Sequence, residues 1–313
     1  NMEIFIRKAM PEDAEDIANL YTEVWSGKYP LNDFTDIILI KERLKAEKDV
    51  WYLAFSKERC IGSAVCTIDK DNNSAELGRA VTSKDFRGKS ISKQLYEIVR
   101  EETLNKGIDI LWALIRNKAT YEISKNDGLT IVGYSESYIL DKGTEVLLFG
   151  LRMTKEGNKK RVISPTKEIY NLCGVQRIVQ EMHLEGNEGG YPQEVVAKMA
   201  LKGKPFSLEG MYYPLNKSFS ATFIPEADSF PEHFEATILA DKTRHIQFLQ
   251  SMGFSITAFL PGWFQKENKR YDCVLLTSTL APLPVCDIQI KPILEDIINE
   301  FKTIHANKME TKK

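Results

Sequence analysis

The chain has 313 residues, which exceeds the roughly 100–200 residues of a usual single domain, so two domains are expected. Its composition, 43% hydrophobic and 27% charged residues, is that of a globular protein, and a formal net charge of -2 excludes the strongly basic surface of nucleic-acid-binding proteins. No apolar run approaches the roughly 18 residues of a membrane span and no signal-peptide pattern is present, so we predict a cytoplasmic protein with no membrane or nucleic-acid partner.

The first half of the chain alternates short apolar strands with amphipathic helices. The clearest helix follows Pro11 and places apolar residues at helical spacing from Ala14 to Trp25. The predicted strands span 4–6, 50–55, 61–68, 75–82, 108–115, 130–139 and 145–153, and the predicted helices span 11–25, 37–44, 90–106 and 118–126. This order predicts an α/β (α+β) fold with a mixed, mostly antiparallel sheet and helices on both faces.

The second half contains an echo of the end of the first half. Residues 245–276 repeat the order helix, glycine, strand, hairpin loop, strand that residues 121–151 show. We place the domain boundary near Lys155–Asn158, where lysine, glutamate, glycine and asparagine cluster. The predicted domains are 1–155 and 156–313, the second ending in a lysine-rich tail from about Lys302 that is expected to fray.

Cysteine and histidine do not occur in the spacings of metal or redox sites. The five cysteines form no CxxC pair, and the four histidines show no ligand spacing such as HExxH. We therefore predict reduced, mostly buried thiols and no metal.

The turn after the strand 75–82 has the composition of a phosphate-binding site. A helix N-terminus presents unpaired backbone N–H groups and the positive end of the helix dipole, and both attract an anion. Gly88 lets the backbone approach a ligand closely, and Arg87, Lys89 and Lys93 add positive charge. On these residues alone an ordinary solvated helix start is the better explanation, so the neighbouring segments have to decide.

Those neighbouring segments carry a resemblance to a known family. The strand Ala75–Thr82, the run Arg87-Gly88-Lys89-Ser90-Ile91-Ser92 with its helix, and the later Asn117 and Gly128 together resemble the GNAT superfamily of N-acetyltransferases. The resemblance covers roughly residues 2–154, and the repeated segment at 234–280 resembles the last third of the same fold. A tandem arrangement is implied, with a degenerate second GNAT-like module that binds no CoA.

The resemblance implies that acetyl-CoA, the co-substrate, lies between the splayed strands 75–82 and 108–115. Its pantetheine arm would pair with backbone groups of the first strand, and its pyrophosphate would meet the amides of the glycine-containing turn. The cofactor-binding residues implied in this way are Ala80, Val81, Thr82, Arg87, Gly88, Lys89, Ser90, Ile91, Ser92 and Asn117.

Two serines depart from the family pattern. The positions of Ser90 and Ser92 are usually glycine, or glycine followed by glycine or alanine. If these residues need a positive φ, serine costs about 1 kcal/mol or more relative to glycine. Because Ile91 and Leu95 fit a helical face at once, we predict that both serines already lie in the first helical turn, where the cost is small.

Acetyl transfer to an amine needs a base to deprotonate the amine and an acid to protonate the departing thiolate. Glu76 occupies the strand position that resembles the general-base glutamate of some family members, and alternation predicts that it shares a face with Gly78, Ala80 and Thr82 towards an apolar cleft. A strand-end glutamate in solvent is an equally good interpretation.

The acid is harder to assign. The position of the tyrosine that usually serves in the family is occupied by Ser124, and Tyr121 is the phenol nearby. Tyr121 could protonate the thiolate, although an aromatic on an amphipathic helix is more often part of the core, and the thiolate could also be lost to solvent.

The sequence therefore predicts an N-acetyltransferase that transfers an acetyl group from acetyl-CoA to the primary amine of a small-molecule, amino-acid-like acceptor by direct attack. The rival from another class is a non-catalytic acyl-CoA-binding or structural GNAT-like protein, which the two serines and Ser124 favour. Neither the identity of the acceptor nor the oligomeric state follows from the sequence.

Overall fold

The computed structural model describes residues 3–29, 31–139, 143–203, 206–209, 211–213, 218–220, 233–279 and 286–302. The predicted C-terminal tail after Lys302 lies outside the described residues. The strands are β1 Ile4–Lys8, β2 Asp49–Ser56, β3 Arg59–Asp69, β4 Ser74–Thr82, β5 Ile110–Ile115, β6 Thr130–Ile139, β7 Gly143–Met153, β8 Arg161–Ile163, β9 Asn187–Glu188, β10 Val196–Gly203, β11 Phe206–Glu209, β12 Met211–Tyr213, β13 Ser218–Ser220, β14 His233–Leu239, β15 Ser255–Lys266 and β16 Lys269–Thr279.

The helices confirm the element order predicted for the first half, with small shifts at their starts. A 3-10 turn at Pro11–Asp13 precedes the first helix, and the third helix begins at Ile91 rather than Ser90. The helices are α1 Ala14–Trp25, α2 Ile37–Lys45, α3 Ile91–Asn105, α4 Lys118–Asn126, α5 Lys155–Lys160, α6 Cys173–Glu181, α7 Thr243–Ser251 and α8 Lys291–Lys302.

The contacts divide the chain into two compact units. The first unit contains residues 1–113 and 123–128, and the second contains residues 114–122 and 129–313. The predicted boundary near residue 155 would place 129–155 with the first half. The contacts group this segment with the second half because β6 pairs with β15. The assignment of functional domains stays a prediction.

In the first unit, five strands form a sheet in the order β1-β2-β3-β4-β5, and its neighbours are antiparallel except for the parallel pair β4 and β5. Helices α1 and α2 cover one face, where Tyr21, Phe34 and Trp51 belong to one buried cluster. Helix α3 covers the other face, since Ile91 and Leu95 lie closest to Gly62 of β3. The mixed sheet with helices on both faces is therefore confirmed.

In the second unit, the sheet runs β7-β6-β15-β16-β14-β10-β11, with antiparallel neighbours. Strands β6 and β15 meet at Gly133 and Ala258, so closely that a Cβ on Gly133 would lie 2.2 Å from the Thr257 carbonyl oxygen. Only glycine permits this contact. The repeated order helix, glycine, strand, strand is confirmed in α4-β6-β7 and α7-β15-β16. Its interpretation as a degenerate GNAT-like module stays a prediction.

All five cysteines are free. Cys60, Cys66 and Cys273 are buried. Burial raises the pKa of both Cys60 and Cys66 to about 12, so these thiols stay protonated at neutral pH.

Candidate active site

Strand β4 carries a bulge in its middle. Val65 of β3 pairs with Gly78, and Ser63 pairs with Val81, so β4 has one residue more than β3 between the two pairs. Arg79 lies in this bulge with a φ of 54°, a left-handed conformation that residues other than glycine rarely adopt.

Past the bulge, none of the described residues pairs with the edge of β4 that faces away from β3, and we call this the open edge. The parallel pairing with β5 covers 74–76 and 110–112, whereas β4 continues to Thr82. On the other edge, Ser83 donates its amide to the Ile61 carbonyl at 2.9 Å. Because backbone groups alternate between the two edges of a strand, the amide and carbonyl of Thr82 face the open edge. An extended ligand could pair with the backbone there.

The bulge corrects one prediction about Glu76. Paired residues of neighbouring strands share a face, so the register places Glu76 and Gly78 with Val81, and it places Thr82 on the opposite face. Alternation predicts that Glu76 shares a face with Gly78, Ala80 and Thr82. For Gly78 this is confirmed, and for Thr82 it is wrong, since the extra residue in β4 reverses the alternation between Gly78 and Val81.

The turn between β4 and α3 leaves helix amides available to an anion. Ser90, at the N-cap of α3, makes no side-chain hydrogen bond to the first-turn amides, and that turn contains no acidic residue. Arg87, Lys89 and Lys93 are exposed around it. A cation at a helix N-terminus destabilises the helix by about 0.3–1 kcal/mol at low ionic strength. These cations therefore do not stabilise α3, whereas they would attract an anionic ligand to its N-terminus.

The two serines behave differently from each other. Ser90 has φ 59° and ψ 21°, in the left-handed region, so the prediction that it lies in the first helical turn was wrong. Ser92 does lie inside α3, and its hydroxyl is 2.7 Å from that of Thr82. This hydrogen bond ties the end of β4 to the start of the helix. Ser90 therefore holds a backbone conformation that favours glycine, and Ser92 links the strand to the helix.

We expect glycine to have opposite effects at these two positions. Ser90→Gly should raise the free energy of unfolding of the first unit by about 0.5–1 kcal/mol, because it removes the positive-φ penalty. Ser92→Gly should lower it by about 1 kcal/mol, since a helix position and the bond to Thr82 are weakened. Urea denaturation of the two variants checks this, and changes of the same sign would contradict it.

Glu76 is paired with an arginine instead of facing an apolar cleft. Arg79 Nη2 lies 2.9 Å from Glu76 Oε2, and the two side chains are 19% and 23% exposed. Burial alone would lower the pKa of Arg79, but the charge and hydrogen bond of Glu76 outweigh it and raise that pKa above its usual value. The pair thus presents opposite charges side by side, each partly open to solvent.

Arg79 and Arg43 both lie over the ring of Phe34, an arrangement that the sequence did not predict. The Phe34 ring lies 4.8 Å from Arg43 Cζ and 5.7 Å from Arg79 Cζ. Arg43 also donates to Thr67 at 2.8 Å and pairs with Asp49 at 2.6 Å. The local sequence signal was Gly78, because a glycine inside a strand often marks a bulge, and the bulge is what places Arg79 here.

Asn117 and Tyr121 belong to the second unit. The Asn117 side chain accepts hydrogen bonds from the Thr120 amide at 2.9 Å and from its hydroxyl at 3.1 Å, as an N-cap residue does. Tyr121 is half-buried, with Lys118 Nζ 4.7 Å from its ring, and Ser124 is buried. Their roles as cofactor ligand and acid stay predictions.

The described residues include no group of three or more His, Cys, Asp or Glu side chains arranged to hold a metal ion. None of the helices in the same part of the chain is long and apolar enough to cross a membrane.

The open strand edge and the cationic helix start together define a first unit suited to an extended ligand with an anionic group. Residues 14–123 match the model of the Acetyltransferase (GNAT) family. The chain therefore contains a GNAT-family acetyltransferase domain in this region.

Similar solved structures include a GNAT-family acetyltransferase from Streptococcus pneumoniae, at 20% identity over 49% of this chain and 100% of that one, with a TM-score of 0.43. A ribosomal-protein-S5-alanine acetyltransferase from Vibrio fischeri matches at 16% identity over 50% and 96% of the chains, with a TM-score of 0.43. A putative acetyltransferase from Salmonella typhimurium with acetyl-CoA matches at 16% identity over 48% and 93%, with a TM-score of 0.42. No curated protein matches the sequence.

Proposed function

We propose that the protein is an acetyl-CoA-dependent N-acetyltransferase that acetylates the primary amine of a small, amino-acid-like acceptor. The observation that carries this proposal is the open edge of β4 next to the uncapped, cation-rich start of α3. The backbone of Ala80–Thr82 suits the amide groups of a pantetheine arm, and the Gly88–Ser92 turn suits a pyrophosphate. When bound, acetyl-CoA supplies the activated acyl thioester.

The Glu76–Arg79 pair supports the acceptor class. A zwitterionic acceptor carries an ammonium and a carboxylate, which complement a glutamate and an arginine side by side. Arg79 occupies Oε2 of Glu76, so Oε1 is the oxygen that would accept a proton from the ammonium. Tyr121 as the acid and a cytoplasmic location stay predictions.

Calorimetric titration of acetyl-CoA into the full chain tests cofactor use. Wild-type protein should release or absorb heat and gain thermal stability on binding. Lys93→Glu should raise the Kd about tenfold, because it replaces attraction to the pyrophosphate with repulsion. The same change should leave the unliganded protein equally or more stable, since an acid suits a helix N-terminus.

The matched control lies at the other end of the same helix. Lys106 is the C-cap of α3, so Lys106→Glu should weaken the helix slightly and leave the Kd unchanged. An absence of heat and of any thermal shift with wild-type protein at millimolar acetyl-CoA would contradict the proposal.

Release of free CoA thiol separates an enzyme from a binder. We expect thiol release with free amino acids and a lower rate with the same amino acids as methyl esters, because the esters lack the carboxylate that Arg79 would bind. The non-catalytic alternative is favoured by the ion pair that already occupies Glu76. Acetyl-CoA binding without thiol release across the amine panel would support that alternative.

A further inference from the structure

A buried chain of hydrogen bonds ends on the bulge of β4. Trp51 Nε1 donates to Ser63 Oγ at 2.8 Å, and Ser63 Oγ lies 3.3 Å from the Tyr21 hydroxyl. The Tyr21 hydroxyl donates to the carbonyl oxygen of Arg79. Ser63 and Tyr21 are 0% exposed and Trp51 is 1% exposed, so these polar groups form hydrogen bonds with one another in place of hydrogen bonds with water.

The chemistry of the two ends sets the direction of every bond. An indole N–H only donates and a carbonyl oxygen only accepts. Tyr21 has a single proton, which goes to Arg79, so Ser63 must donate to Tyr21 and accept from Trp51. Burial raises the pKa of Tyr21 well above its usual value, and the phenol therefore keeps the proton that it donates. Each donor in the chain has one acceptor, and such a chain strengthens each of its bonds.

The series of hydrogen bonds ends at the point where β4 departs from regular pairing. Arg79 lies in the extra-residue segment between the pairs Gly78–Val65 and Val81–Ser63, and it holds a left-handed φ. A carbonyl in a bulge has lost its regular ladder partner and is costly to bury unpaired. Tyr21 supplies that partner from α1, and Ser63 lies directly beside the bulge in β3.

We propose that Tyr21 is a positioning residue that holds the bulge of β4 and thereby sets the backbone of Ala80–Thr82 that receives the cofactor. This inference rests on the proposed function, since Tyr21 acts through the strand and touches no substrate. Without its hydrogen bond, the extra residue in β4 is free to change its conformation. The backbone groups of Ala80–Thr82 would then lose their fixed spacing and direction.

The test variant is Tyr21→Phe in the full chain. We expect the KM and the Kd for acetyl-CoA to rise about tenfold, as for the loss of one well-formed hydrogen bond, while kcat changes by less than about threefold. Hydrogen exchange in the unliganded protein should accelerate about tenfold in peptides covering 79–82 and stay unchanged in β1 and β2.

Tyr52→Phe is the matched control, since Tyr52 also donates a phenolic hydrogen bond, to Glu102 at 2.6 Å, at a site away from the bulge. It should leave the KM and the exchange at 79–82 unchanged. Ser63→Ala removes the middle member of the hydrogen-bond series by deleting a single hydroxyl group. It should raise the KM and accelerate the exchange at 79–82, each by about threefold. It also serves if Tyr21→Phe does not fold.

The outcomes are distinguishable. Unchanged exchange at 79–82 in both Tyr21→Phe and Ser63→Ala would overturn the positioning role whether or not acetyl-CoA binds. Unchanged KM and Kd in a wild-type-like enzyme would overturn it as well. If wild-type protein binds no acetyl-CoA, the proposed function fails, and faster exchange in the variants then supports only the hold on the bulge and overturns its link to a cofactor.

Discussion

Asp272→Ala is expected to lower the free energy of unfolding of the second unit by about 3–5 kcal/mol. Asp272 is 0% exposed and its carboxylate accepts two hydrogen bonds from Arg161, at 2.8 and 2.7 Å. It also accepts from the Tyr170 hydroxyl at 2.5 Å and from the Gly262 amide at 2.8 Å. Removing the carboxylate leaves the Arg161 charge, 2% exposed, buried without compensation.

Hydrogen exchange followed by mass spectrometry during urea titration measures this effect, because it reads peptides of each unit separately. Peptides from β15 and β16 should lose protection at lower urea, whereas those from β2 and β3 should not change. A loss below about 1 kcal/mol would mean that water or a neighbouring acid compensates Arg161.

Two further variants separate a buried pair from a surface pair. The double variant Arg161→Met and Asp272→Leu should be less destabilised than Asp272→Ala, because no charge is left unpaired. Glu194→Ala removes the partner of Lys266, and since these two side chains are 42% and 38% exposed, the expected loss is at most about 1 kcal/mol.

Glu76→Gln is expected to reduce kcat/KM at neutral pH by about 10²–10⁴-fold if Glu76 is the general base, the range of a lost proton-transfer group. Glutamine can still accept the hydrogen bond from Arg79, so the local structure should be kept while the basic group is lost. Initial rates of thiol release over a range of pH check this. In the wild-type enzyme kcat/KM should depend on a group that is deprotonated in the active form, and in the variant this dependence on pH should be lost.

Glu102→Gln is the matched control for that variant. Like Glu76, Glu102 is paired with a cation, Lys8 at 2.9 Å, and it accepts a further hydrogen bond from the Tyr52 hydroxyl at 2.6 Å. It lies on α3, away from the open edge of β4. It should leave kcat/KM and the pH profile unchanged. A Glu76→Gln enzyme within about twofold of wild type, with the same pH profile, would remove Glu76 from the mechanism.

The position of the candidate site could be predicted from local sequence. The strand ending at Thr82, the glycine-containing turn and the helix that follows are all contiguous, so their patterns specify them without distant contacts. The family match over 14–123 confirms the class of domain that these residues predicted.

The surroundings of Glu76 could not be predicted, because a bulge depends on the partner strand. Strict alternation places Thr82 on the face of Glu76, and the extra residue between Gly78 and Val81 reverses it. The conformation of Ser90 was missed for a related reason. The spacing of apolar residues shows which residues lie on the same face of a helix. It is the same whether the N-cap residue has a positive or a negative φ, so it could not reveal the conformation of Ser90.

The sequence by itself determined the class of fold, the order of its elements and the place of the cationic turn, since each of these follows from periodicity and turn chemistry within a few residues. Tertiary structure alone decided the Tyr21 bond to Arg79, the pairing of β6 with β15 and the burial of Arg161 against Asp272. The physical reason is separation along the chain. Such contacts join residues far apart in sequence, and no local pattern records which buried donor meets which buried acceptor.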